Sequence, residues 1–309
     1  MKTSVIPDIP GPDPRPRPPQ KPLPALSCDA HAHIFGPPDV YPYHPDRSYT
    51  PHDALRQDYI HLLHTLGFGR CVLVQPSVYG TDNRLMCDAL SLASTDPAGI
   101  EWRGVAVLDD AVADAELERL HALGVRAVRL NMQHNGGIDF ATASKVARRI
   151  APLGWHMQFL VDITRFDNLA SRLAALPTDS VIDHMGHFPA VAGPKHPAFI
   201  ELLSLMQEGR TWVKLSGPNR TSALDGSPYT DTQALAEELL DHMPKRLVFG
   251  TDWPHVQLPT SMPNDGDLVD ELYRWLGHDD ELAHGVLVDN PARLYSFDGD
   301  FPGRHASST

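Results

Sequence analysis

Cysteine is scarce in this chain, and its three copies, Cys28, Cys71 and Cys87, are odd in number and unspaced for metal. They give neither a disulfide framework nor a zinc-finger pattern, and read as reduced thiols in a cytosol. Positive charge is short as well: 26 Lys and Arg against 39 Asp and Glu leave a net charge of −13. That balance argues against nucleic acid and against anionic membrane surfaces as partners. It also requires any anionic ligand to be held by locally placed arginines, against the field of the whole. No apolar run approaches the roughly 20 residues that span a bilayer. The first residues lack the apolar stretch of a secretion signal, so a cytoplasmic protein is the expectation. No repeat or heptad specifies a stoichiometry, and a homo-oligomer stays open.

Proline is concentrated at one end. Residues 1–24 (MKTSVIPDIPGPDPRPRPPQKPLP) form a proline-rich arm. Each proline fixes φ and removes a donor, so the arm is extended, either as a passive tail or packed on its own domain or a neighbouring subunit. Residues 25–299 then carry one domain, with 300–309 as a tail. Within the domain short β-rich runs alternate with amphipathic helical runs. The expected strands are 27–34, 71–75, 104–108, 127–131, 157–161, 180–183, 212–215 and 247–250, and helices are expected at 53–66, 114–123, 141–151, 197–207 and 231–242. The strands recur every ~30 residues, the length of a βα unit, and runs such as Cys71-Val72-Leu73-Val74 suit strands buried on both faces. Eight such units predict an α/β fold, a single, slightly distorted (β/α)8 TIM barrel. A doubly wound open sheet is the alternative, but no Gly-rich phosphate turn follows the first strand.

Chemistry in such a barrel sits at the carboxyl ends of the strands. Strand one ends in Asp29-Ala30-His31-Ala32-His33, and because strand side chains alternate, His31 and His33 share one face. Such a pair can hold a divalent metal, polarise a carbonyl, or simply hydrogen-bond at a strand terminus. Strand two ends Gln75-Pro76-Ser77, strand four Arg129-Leu130-Asn131, and strand six Asp183-His184-Met185-Gly186-His187. Strand seven ends Lys214-Leu215-Ser216-Gly217 with Arg220 just beyond, and strand eight Gly250-Thr251-Asp252-Trp253-Pro254-His255. Ionisable groups are uncommon in cores, and six polar strand ends together mark a site. Ester or lactone hydrolysis needs a water, a base for its proton and donors for the carbonyl oxygen. Asp252 is the candidate base, and His31, His33 and His184 are candidates to polarise the carbonyl. Arg129 and Arg220 can clamp a carboxylate with paired hydrogen bonds, whereas Arg126, at the entry end of strand four, reads as a surface or salt-bridge residue.

The His-x-His of strand one, His184 in Asp-His-Met-Gly and the Gly-Thr-Asp-Trp-Pro-His of strand eight resemble the amidohydrolase superfamily. The likeness runs from about Cys28 to Tyr295 and is nearest to the branch of pyrone-dicarboxylate, muconolactone and sugar-lactone hydrolases. Tyr79-Gly80-Thr81-Asp82-Asn83, Val128-Arg129-Leu130-Asn131 and Asp289-Asn290-Pro291-Ala292-Arg293 carry it further. The resemblance implies lactone hydrolysis of a small anionic, carboxylated catabolic intermediate. It implies that the hydroxyls of Tyr49 and Ser77 join the arginines in binding the carboxylate. It also implies catalysis without metal, as in that branch.

Two positions depart from the branch. Asn135 stands where a second arginine follows strand four, and Leu160 where strand five carries a tyrosine. Both weaken a second anion site and favour a lactone with one carboxylate. The metal ligands that other superfamily members draw from strands four and five are also missing. One zinc or manganese ion on His31, His33, His184 and Asp252 remains the alternative, since three nitrogens and one oxygen suit catalytic zinc. Competing activities are a lactone isomerase, which moves the acyl link without adding water, and a zinc-dependent hydrolase or decarboxylase.

Overall fold

Strands that read as continuous apolar runs must be covered on both faces, and a ring of parallel strands wrapped by helices does this. The computed structural model describes residues 6–93, 97, 99–132, 140–166, 168–258 and 261–297. Its strands are β1 (Cys28–Ala32), β2 (Arg70–Val74), β3 (Glu101–Ala106), β4 (Val125–Asn131), β5 (His156–Leu160), β6 (Ser180–Ile182), β7 (Thr211–Leu215) and β8 (Leu247–Phe249). Each pairs in parallel with the next, in sequence order. Just past β8 the chain bonds back to β1: the Asp252 N–H donates to the His31 carbonyl and the His33 N–H to the Trp253 carbonyl, both at 2.8 Å. Sequential order with first and last strands joined is a (β/α)8 barrel. A doubly wound sheet would need the strand order to reverse.

The outer layer is built from α1 (Arg56–Leu66), α2 (Arg84–Ser91), α3 (Asp114–Ala122), α4 (Phe140–Ile150), α5 (Leu169–Ala174), α6 (Pro197–Gln207), α7 (Pro218–Thr221), α8 (Gln233–His242) and α9 (Asp265–Trp275). Their starts follow capping chemistry. At α6 the His196 ring accepts from the Ala198 N–H, and Pro197 takes the first position, where a missing N–H costs nothing. The helix expected from Asp53 begins instead at Arg56. Ala54 is used up in a two-way backbone pairing with Phe35, and the Asp58 carboxylate accepts from the Leu55 N–H. Arg126, expected as a surface or salt-bridge residue, is buried, and its guanidinium donates to the carbonyls of His121 and Val125.

Small and branched side chains fill the barrel interior: Cys28, Ala30, Val72, Val74, Val105, Ala127, Val181 and Val248. Pairing of β1 with β2 slips between Asp29 and Ala32. A slip of this kind re-aims side chains, so Ala30 and His31, though adjacent, both face inward. The described part of the arm lies along the barrel. Thr50 pairs with Pro7 and Ile9, Gln20 N–H donates to Asp270 at 2.7 Å, and the Tyr273 hydroxyl donates to the Pro22 carbonyl. Among the described residues no helix is long and apolar enough to cross a membrane.

Candidate active site

At the carboxyl ends of the strands a cavity of about 400 Å³ is lined by His33, Tyr49, Ser77, Arg129, His184, Arg220 and Asp252, with Pro76, Asn131, Leu160, His187, Val256 and Gln257 completing its wall. Every sequence-predicted site residue that the structure describes gathers here. Asn135 lies outside the described residues. His31 sits beneath the cavity floor with no exposed surface.

Backbone geometry places these groups. Asp252 and His184 both adopt left-handed φ, +68° and +50°. Non-glycine residues visit this region rarely, and such strain collects at functional sites. Two glycines make room for the imidazoles. A Cβ on Gly250 would stand 2.5 Å from the His31 Cβ, and one on Gly217 (φ +63°) would stand 3.1 Å from the His184 ring. Behind β1, Asp29 accepts from the Thr251 N–H and hydroxyl and from the Tyr59 hydroxyl, tying the end of β8 to β1. Burial raises its carboxyl to about 6.

The imidazoles converge on one carboxylate oxygen. Asp252 Oδ1 lies 3.8 Å from His31 Nε2, 4.0 Å from His33 Nε2 and 3.5 Å from His184 Nε2. Its other oxygen, Oδ2, accepts from Arg220 Nε at 2.5 Å. His33 Nδ1 is 2.7 Å from the Val74 carbonyl, and His184 Nδ1 is 2.9 Å from the Ser216 hydroxyl. Burial, with the cations Lys214, Arg129 and Arg220 nearby, lowers all three imidazole pKa values, that of His33 to about 3. They are therefore neutral at pH 7. Burial raises the Tyr49 hydroxyl, which stays protonated as a donor.

Reading strand ends named Lys214 and Asp183 but gave them no role, and it left out Gln158, with which they form a second layer. Lys214 of β7 reaches across the barrel to the Ala30 carbonyl (2.9 Å), Gln158 Oε1 of β5 (2.9 Å) and His31 Nδ1 (3.2 Å). Asp183, just past β6, accepts from Gln158 Nε2 (3.1 Å) and Arg129 Nε (3.3 Å). Burial pulls the Lys214 ammonium down to about 8, opposed by Asp183. Burial alone would raise Asp183, but Lys214 and Arg129 outweigh it and the carboxyl falls below its ordinary value. Strand parity is the signal that finds this layer: Trp212, Lys214 and Ser216 share the inward face of β7. Two sets of atoms lie close enough to hold a metal ion, His31 with His33 and Asp252, and His31 with Asp183 and His184.

The profile of the Amidohydrolase family matches residues 28–297. The chain is 40% identical over 291 residues to a 2-pyrone-4,6-dicarboxylate hydrolase of Comamonas testosteroni, covering 91% of this chain and 93% of that one. It is 36% identical over 297 residues to a 4-sulfomuconolactone hydrolase of Rhizobium radiobacter, covering 94% and 96%. A solved structure from Pseudomonas putida, assigned as a 2-pyrone-4,6-dicarboxylic acid hydrolase, aligns with a TM-score of 0.75 at 35% identity. The match covers 89% of this chain and 99% of that one.

Proposed function

The chain belongs to the amidohydrolase family of enzymes, and we propose that it hydrolyses the lactone of a small carboxylated compound without a metal. The observation that carries this reading is the convergence of three neutral imidazoles on Asp252 Oδ1 while Arg220 occupies Oδ2. One carboxylate oxygen is left to take the proton of a water held among the rings. The water oxygen bonds to the lactone carbonyl carbon, and its proton passes to Asp252. Negative charge develops on the carbonyl oxygen, where His184, whose Nδ1 is held by the Ser216 hydroxyl, and the Arg129 guanidinium are the donors that line the cavity. Collapse breaks the ring C–O bond, and Asp252 returns the proton to the departing ring oxygen. The product is the open hydroxy acid, one water heavier than the lactone.

Charge around the cavity favours a substrate with one carboxylate. Arg129, Lys214 and Arg220 face Asp183 and Asp252, and of the three cations Arg129 and Arg220 reach the cavity itself, where a substrate carboxylate can meet them. Arg129, Arg220, Tyr49 and Ser77 line the space where that carboxylate binds, and Leu160 offers no donor for a second. The same charges bear on the metal question. His31, His33 and Asp252 are near enough to one another for one zinc or manganese ion, with His184 in a separate set beside His31 and Asp183, but Lys214, Arg129 and Arg220 stand against these sets and a dication would add to their charge. The donor set therefore does not suit it.

A panel of monoanionic lactones and pyrone dicarboxylate, assayed by product mass with and without a strong chelator, tests the reading. Expected are products heavier by one water, unaffected by the chelator, with the monoanionic substrates preferred. A product of unchanged mass would identify an isomerase instead. Activity lost to the chelator and restored by zinc would replace the metal-free reading, and loss of carbon dioxide would point to a decarboxylase.

A further inference from the structure

We propose that Lys214 fixes the tautomer of His31, so that this imidazole turns an N–H toward His33 Nε2 beside Asp252 and the set of His31, His33 and Asp252 is closed to a divalent metal. The inference rests on the metal-free reading above and supplies its structural cause.

A lysine ammonium has three protons and no acceptor. The Lys214 side chain is fully buried and makes hydrogen bonds to three acceptors, while a fourth, Asp183 Oδ1, stands at 3.5 Å as an ion pair outside hydrogen-bond geometry. The Ala30 carbonyl, at 2.9 Å, can only accept. The Gln158 amide is oriented by its other end: Nε2 donates to Asp183 Oδ2 at 3.1 Å, so Oε1 faces Lys214 at 2.9 Å. The third acceptor is His31 Nδ1, at 3.2 Å. A neutral imidazole that accepts at Nδ1 carries its proton on Nε2.

The neighbouring ring supports this independently. His33 Nδ1 lies 2.7 Å from the Val74 carbonyl, which only accepts, so the His33 proton is on Nδ1 and its Nε2 is bare. His31 Nε2 is 3.4 Å from that bare nitrogen. An N–H on His31 fits the contact, whereas two bare nitrogens would repel. The row of donors therefore runs one way, from Lys214 through His31 and His33 to Val74.

A metal on both rings requires both Nε2 atoms bare. The His31 proton would then move to Nδ1 and point at the ammonium, donor against donor. Asp183 Oδ1 shows where that proton would otherwise go. It lies 3.3 Å from His31 Nδ1 and accepts no hydrogen bond. A carboxylate behind the distal ring nitrogen is the arrangement that metal-bound histidines use. Lys214 is thus a positioning residue that holds the His31 proton on Nε2, and its removal opens a ligand set that is otherwise in place.

Two measurements test this. In [15N]histidine-labelled protein, the His31 resonances, assigned by their loss in His31→Gln, are expected to report the Nε2–H tautomer. Zinc affinity is then compared between wild type and Lys214→Met by competition with a chromophoric chelator. The variant is expected to bind on the order of 10- to 100-fold more tightly, the usual effect of a partner behind a metal ligand, with His31 switched to Nδ1–H. Equal zinc affinity in the two proteins would overturn the inference. So would an Nδ1–H tautomer in wild type, a measurement that holds even where Lys214→Met does not fold. A product of unchanged mass from a protein whose His31 carries Nε2–H and whose zinc affinity rises in Lys214→Met would count against the proposed function alone.

Discussion

Arg220 holds Asp252 by one oxygen, Nε to Oδ2 at 2.5 Å, and so decides which oxygen faces the imidazoles. Arg220 is itself fixed by donation to the Val256 carbonyl at 2.9 Å. The Asp252 backbone is fixed too, because its N–H bonds to the His31 carbonyl where the barrel closes. Asp252, the proposed base, and His31 and His33 are therefore positioned by one seam, between β1 and the segment after β8. Two histidines and the carboxylate opposite them come from strands that are distant in sequence but adjacent in the ring.

Asp252→Asn keeps the shape of the side chain and removes its capacity to take a proton. On the proposed mechanism kcat falls by about 10²- to 10⁴-fold, the usual contribution of a general base, while the circular dichroism spectrum stays that of wild type. Turnover within a few-fold of wild type would sink the assignment of the base.

Arg129 lines the cavity with its Nε 3.3 Å from Asp183 Oδ2. Arg129→Met removes a charge-assisted contact to the substrate carboxylate, so kcat/KM for a carboxylated lactone drops on the order of 10- to 100-fold. A neutral lactone of similar ring size should be affected far less, because it has no carboxylate to lose. An equal fall for both substrates would place Arg129 in holding Asp183 and not in binding substrate.

The barrel was legible because its apolar strands recur at the spacing of βα units, and the rim residues because chemistry in such a barrel follows strand ends. Two features resisted reading. β3 was expected from Gly104 but begins at Glu101. Its polar entry end looks like a loop, yet Glu101 pairs with Arg70 at 3.2 Å, and the Arg103 guanidinium caps the carbonyls of Tyr295 and Ser296. Lys214, Gln158 and Asp183 form a layer under the rim, where a polar residue inside a strand looks like any half-exposed one. Their common direction depends on strand parity, and on β1 the pairing slip between Asp29 and Ala32 breaks that parity. A contact such as Lys214 to His31, 183 positions apart, appears only once the ring is closed.

Gly250 is needed for the approach of β8 to β1. A methyl group there would sit 2.5 Å from the His31 Cβ and 2.7 Å from its backbone nitrogen, and backbone cannot yield as a flexible side chain can. Gly250→Ala should cost about 1–3 kcal/mol, as overpacking typically does. It should also reduce kcat by displacing His31. Urea unfolding and kinetics on the same preparation check both effects. Wild-type stability in this variant would mean that the seam is looser than its geometry implies.

Acid should destabilise this protein through its buried imidazoles, and His156 allows the effect to be measured away from the chemistry. It lies at the entry end of β5, edge-on to the Tyr295 ring at 5.1 Å, and burial lowers its pKa to about 3, as it does for His33. The unfolded chain takes up a proton on such a histidine below about 6.5, whereas the folded chain resists until about 3. The stability is therefore complete above pH 6.5 and is lost as pH falls toward 3, at about 1.4 kcal/mol per pH unit for each histidine. Asp29, raised to about 6, has the opposite sign: its native carboxyl holds a proton that the unfolded chain has lost above about 4, so stability declines as pH rises toward 6. That term is common to any pair of variants that keep Asp29. His156→Phe should thus flatten the acid limb by about 1.4 kcal/mol per pH unit between pH 6 and 4.5, read from urea midpoints across the range. Parallel limbs in the two proteins would mean that His156 is protonated in the folded state near its ordinary pKa.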